Sequence, residues 1–121
     1  MNKEEHYLRF KAFAIRIVKM VDSMPNTISA KALARQVVRS GTSPSANYRA
    51  ACKAKSDNDF INKLKMVEEE LDETLHWLDI IIETEILPEK RLTDLRNECE
   101  ELLKITVKSI VTMRSKINRT S

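Results

Sequence analysis

The chain is poor in residues that break or bend a backbone. Its 121 residues include one glycine and three prolines, and aromatic side chains make up 5%. A β-sandwich or barrel needs frequent turns and strands rich in aromatic and β-branched residues, so this composition excludes both. A single glycine also excludes a phosphate-cradling loop. The two cysteines, Cys52 and Cys99, are too few and too far apart for a disulfide framework or a zinc site. Each falls on an apolar stripe, so both are expected to be buried free thiols. No 18-residue apolar run exists, which excludes a membrane-spanning helix. The N-terminal segment from Met1 to Phe13 carries charges where a signal peptide has its apolar region. The expected setting is the cytoplasm, and the length suits a single domain over residues 1–121.

What is present is 42% hydrophobic and 32% charged side chains, laid out with helical periods. Phe10, Ala14, Ile17, Val21 and Met24 recur at steps of three and four and predict a first helix from about Glu5 to Ser23. Pro25 ends it, and Thr27 or Ser29 can cap the next. That second helix carries Leu33, Val37, Gly41, Pro44, Tyr48 and Ala51/Cys52 on one side and runs to about Lys55. Pro44 either kinks it by removing the bond to Ser40, or follows Ser43 as the first residue of a fresh segment. Ser56-Asp57-Asn58-Asp59 is a start signal for the third helix, whose stripe is Phe60, Leu64, Val67, Leu71, Leu75, Leu78 and Ile82. The fourth runs from about Glu89 to Asn118 on Leu92, Leu95, Cys99, Leu102, Thr106, Ile110, Met113 and Ile117. Four such stripes joined by short loops predict an all-α, antiparallel up-down four-helix bundle, its second helix kinked near Pro44.

The run Gln36-Val37-Val38-Arg39-Ser40-Gly41-Thr42-Ser43-Pro44-Ser45-Ala46-Asn47-Tyr48-Arg49-Ala50-Ala51 resembles the second-helix signature of the 23S rRNA intervening-sequence proteins, the S23-type four-helix-bundle family. The stretch from Lys55 to Leu78 resembles its third-helix pattern. The chain departs from the family at Pro44, where an aliphatic residue is common, and at Ala50, where an acid is usual. The resemblance implies an up-down bundle, commonly a ring-shaped homopentamer, without established enzymatic activity or cofactor. It also implies kinship with the accessory protein of diversity-generating retroelements, which partners a reverse transcriptase and RNA. Arg39, Ser43 and Asn47 carry over as structural positions of the family motif.

Charge is segregated along the chain. Residues 1–55 hold eleven Lys/Arg against three acids, a net +8, and residues 56–121 hold ten against fifteen, a net −5. On a continuous second helix Lys31, Arg35, Arg39, Arg49 and Lys53 fall within an arc of about 80° opposite the apolar face. Such a stripe can track a phosphate backbone or pair with acids of a neighbouring helix or subunit. Stacking platforms are few, which favours backbone or shape contacts over base reading. Met66, Trp77, Ile80 and Ile81 lie outside the third helix's stripe. Together with Ile15, Val18, Leu103, Val107 and Val111 they predict self-association, with Trp77 as an interface anchor.

The E-x-x-H motif Glu73–His76 is the spacing that di-iron bundles use in pairs. Here the only other histidine, His6, has Lys3 where its glutamate would stand, and both motif residues point away from the core. No metal, cofactor or catalytic residue is assigned. The leading expectation is a non-enzymatic, homo-oligomeric bundle that binds RNA or a nucleic-acid-binding protein. The rival is a protein scaffold, and a metal enzyme comes third.

Overall fold

Local hydrogen bonding sets the helix ends. The computed structural model describes residues 2–120 and holds α1 (Lys3–Asp22), α2 (Ile28–Cys52), α3 (Asp57–Glu83) and α4 (Glu89–Thr120). Asn2 Oδ1 accepts from the Glu5 amide at 2.8 Å and starts α1 two residues before the expected position. Thr27 and Ser56 cap α2 and α3 in the same way, through the amides of Ala30 and Asp59. The Asp59 carboxylate reaches back to the Lys55 amide at 3.3 Å. These caps satisfy donors that a helix start otherwise leaves unpaired. α2 stops at Cys52 rather than Lys55, because the amides of Lys53 and Ala54 turn back to Ala50 and Ala51.

The end of α3 is a Schellman turn. Ile86 N–H donates to the Ile81 carbonyl and Glu85 N–H to that of Ile82, with Glu85 at φ 60°. Glycine is the usual residue at that position, since a side chain there is strained.

α2 passes through Pro44 as one helix, so the fresh segment capped by Ser43 does not form. Pro44 is buried. Around it Thr42 Oγ1 donates to the Val38 carbonyl at 2.6 Å and Ser45 Oγ to that of Thr42 at 2.8 Å.

Each helix packs on its chain neighbours and α4 returns to α1, while the diagonal pairs stay apart, which is the up-down bundle expected. The core follows heptad spacing on α1, α2 and α3, while α4 takes two successive steps of four through Leu102, Thr106 and Ile110. α3 buries Phe60, Leu64, Val67, Leu71, Thr74, Leu78 and Ile81, at alternating steps of four and three. This is a 3.5-residue period, whereas the predicted stripe averages 3.67. Thr74 and Ile81 therefore take the places expected of Leu75 and Ile82. Ile81, expected at an oligomer interface, is fully buried in the core. A stripe at 3.5 stays on the seam only because the helices wrap around one another. α1 adds Phe13 and Met20, which lie one position before Ala14 and Val21 of the expected row.

Two small residues of α2 set the helix spacing. Ser40 is buried and accepts a hydrogen bond from Thr74 Oγ1 at 2.9 Å. Gly41 lies against Ile17 of α1, where a Cβ would come within 2.8 Å of Cγ1. Cys99 is buried and donates to the Leu71 carbonyl at 3.4 Å, and burial pushes its thiol up to about 12. Cys52 is exposed, contrary to the expectation that both thiols are buried. Ala51 takes the core position and turns its neighbour outward. Among the described residues no helix is long and apolar enough to cross a membrane.

Candidate nucleic-acid interface

Residues 28–53, α2 with its C-cap Lys53, contain no acid. With Val37, Ser40, Gly41, Pro44, Tyr48 and Ala51 committed to the core, the helical period sends Lys31, Arg35, Arg39, Arg49 and Lys53 outward. All five are exposed. Among the described residues, Lys31, Arg35, Arg49 and Lys53 have no ion-pair partner within 4.0 Å. The stripe keeps its continuity because α2 is not interrupted at Pro44.

Arg39 differs from the other four. It pairs with Glu70 at 3.1 Å and with Glu73, both on α3, and donates to Gln36. Glu73 also accepts from Trp77 Nε1 at 2.9 Å. This cluster bridges α2 and α3 at the rim of the core. Glu70 was not singled out in the sequence, because its partner lies 31 residues away, whereas Gln36 stands three residues before Arg39, a helical spacing that could have found it. The remaining motif residues, Ser43 and Asn47, lie one and two turns further on, and Asn47 Nδ2 donates to Ser43 Oγ at 3.0 Å. Of the three, Arg39 ties α2 to α3, and Ser43 and Asn47 bond to each other within α2.

The E-x-x-H pair is spent on other contacts. Glu73 holds Arg39 and Trp77, and the exposed His76 ring lies edge-on to Trp77 with centroids 4.9 Å apart. Among the described residues no group of three or more His, Cys, Asp or Glu side chains is placed to hold a metal ion. His6 lies 3.3 Å from the Tyr48 hydroxyl, and Tyr48 stacks on Phe10 at 4.8 Å. Burial lowers the His6 pKa, and pushes that of Tyr48 up to about 12. Two further clamps tie the helices: Arg9 to Glu98 across α1–α4, and Arg96, which also pairs with Glu100 on its own helix, to Asp79 across α3–α4. The bond to Glu98 raises the Arg9 pKa, and those to Asp79 and then Glu100 raise that of Arg96.

The expected interface residues divide. Met66 is 46% exposed, Trp77 and Ile80 are half-buried, and Ile81 belongs to the core. Ile15, Val18, Val107 and Val111 are exposed as expected, and Leu103 is half-buried. Leu8, at 53% exposure, was not anticipated. Its position seven residues before Ile15 is the signal that could have found it.

Four packed helices with an acid-free outer face on α2 define a small all-α bundle. Residues 3–108 match the family described as 23S rRNA-intervening sequence protein, and the chain belongs to that family. It is similar to the crystal structure of a protein of unknown function from the S23 ribosomal protein family of Bacteroides thetaiotaomicron. The two share 34% identity over 87% of this chain and 97% of that one, with a TM-score of 0.82. No curated protein matches the chain.

Proposed function

We propose that this chain is a non-enzymatic, self-associating helical scaffold that docks an RNA backbone, alone or within a ribonucleoprotein, through the outward face of α2. One observation carries the reading: five exposed cations stand on an acid-free stretch, and four of them have no ion-pair partner among the described residues. Such a row exchanges its counterions for phosphates. The ligand is read by backbone and shape, since Phe10, Phe13, Tyr48 and Phe60 are buried, Tyr7 packs half-buried against the core and Trp77 is held by Glu73. Self-association rests on the apolar side chains exposed on α1, α3 and α4. A ring of five is the assembly that the family resemblance implies.

The test is binding to a structured RNA over a range of salt. Up to five phosphate contacts give a slope of log affinity against log salt of about −4. The double variant Arg35→Glu/Lys53→Glu should reduce the slope by about 2 and leave helicity and assembly intact. Arg39 is left in place because it also ties α2 to α3. Absence of binding at low salt would overturn the RNA reading. It would favour a protein scaffold, in which the basic face meets acids such as those of α3, where nine Asp/Glu face two lysines, a net −7.

A further inference from the structure

We propose that the cleft between the end of α1 and the start of α4 binds a phosphate monoester, its phosphate between Arg16 and Arg91 and its body on an apolar floor. The site is separate from the α2 face and does not depend on the reading above. α1 and α4 pack less closely than the other neighbouring pairs. Near this end of the bundle they leave an open cleft of about 260 Å³, with Arg16, Lys19 and Arg91 at its rim. Its floor is Met20, Leu87, Leu92 and Leu95, all buried against the core.

The seam itself points to an anion here. Arg9 of α1 meets Glu98 of α4 in an ion pair at 2.7 Å. One heptad further along, the antiparallel register brings Arg16, seven residues on, to Arg91, seven residues back, and both line the same cleft. The place of the acid is taken by a second arginine, and two like charges across a seam repel. Arg91 is nevertheless held in position by a neutral partner. Its Nη2 donates to Ser23 Oγ at 3.0 Å, and Ser23 Oγ donates its own proton to the Met20 carbonyl at 2.7 Å. The bond orients the guanidinium without neutralising it and leaves the rest of its donor fork open. Arg16, Lys19 and Arg91 have no ion-pair partner among the described residues. Asp22, Glu83, Glu85, Glu89 and Asp94 are exposed nearby, but none lines the cleft or pairs with its cations. Three cations exceed what one carboxylate can neutralise, and two arginines suit the several oxygens and double charge of a phosphate monoester.

Calorimetric titration with phenyl phosphate and with inorganic phosphate, at constant ionic strength, tests the site. Phenyl phosphate should saturate at one per chain and bind more tightly than inorganic phosphate, since only it has a body for the floor. Arg16→Gln/Arg91→Gln should weaken it by about 10–100-fold, with helicity checked by circular dichroism. Should that variant lose helicity, Lys19→Gln replaces it, with an expected loss of about 2–5-fold. Arg35→Glu/Lys53→Glu, which weakens RNA docking, should keep the site, so the two readings fail separately. In that background an RNA with a terminal phosphate is compared with the same RNA ending in a hydroxyl. Tighter binding of the first assigns an RNA end as the source of the monoester, and equal binding assigns a free phosphate ester. No saturable binding of phenyl phosphate at millimolar concentration overturns the site. So does an affinity no better than that of inorganic phosphate, or one untouched by substitution in a folded variant.

Discussion

Replacing Gly41 with alanine puts a methyl group at the contact between α1 and α2. That Cβ would lie 2.8 Å from Ile17 Cγ1, 2.9 Å from Cγ2 and 3.1 Å from Cδ1. Carbon atoms rest at about 3.5–4.0 Å, so the helices must separate by several tenths of an ångström or more. Ile17 cannot swing aside: it is fully buried, and its branched Cβ restricts it to one common helical rotamer. Overpacking of this kind costs about 1–3 kcal/mol, while the better helix propensity of alanine returns about 1 kcal/mol. The expected net loss is about 0–2 kcal/mol, read as a lower midpoint in urea unfolding followed by circular dichroism. Ile17→Val should not relieve the defect, since it keeps both of the nearer carbons. Ile17→Ala removes them, so Gly41→Ala/Ile17→Ala should be less destabilised than the sum of its parts by about 1–2 kcal/mol. A Gly41→Ala protein more stable than the wild type, or strict additivity in the cycle, would refute the close approach as the reason for the glycine.

Three further outcomes are expected. Glu85→Gly relieves the left-handed strain at the end of α3 and should raise stability by about 0.5–1 kcal/mol, measured by thermal unfolding. One thiol per native chain, Cys52, should react promptly with a chromogenic disulfide, and Cys99 should follow only on unfolding. Serine at position 52 should abolish the fast phase. Tyr48 ionises near 12 in the folded chain against 10.0 for a free phenol, because burial disfavours the phenolate. The folded state therefore holds this proton more tightly. Its contribution to stability is complete below pH 10 and is lost as the pH rises through 12. Denaturant midpoints should fall across that window, and less steeply in Tyr48→Phe.

Much of the fold was legible because its signals are local. Thr27 and Ser56 cap helices with their own hydroxyls, and the loops ahead of α2 and α4 hold Pro25 and Pro88. The basic stripe was legible for the same reason, since the α-helical period alone places Lys31, Arg35, Arg49 and Lys53 on one side. The choice between adjacent apolar residues was not. Leu75 and Ile82 fit a straight helix as well as Thr74 and Ile81 do, and only the wrapping of four helices selects the 3.5-residue row. The same ambiguity placed Cys52 inside when Ala51 fills the core.

Four amphipathic helices, their ends to within a few residues, and an α2 that bears cations without acids all follow from the sequence. These follow from capping, proline chemistry and side-chain period within one segment. Tertiary structure alone decided that Arg39 is tied to Glu70 and Glu73 while the other four cations stay open. It also decided that Ile81 is core rather than surface, and that Arg16 and Arg91 line one cleft between α1 and α4. Each depends on which residues of separate helices come within a few ångströms, and that is settled only when the whole bundle packs.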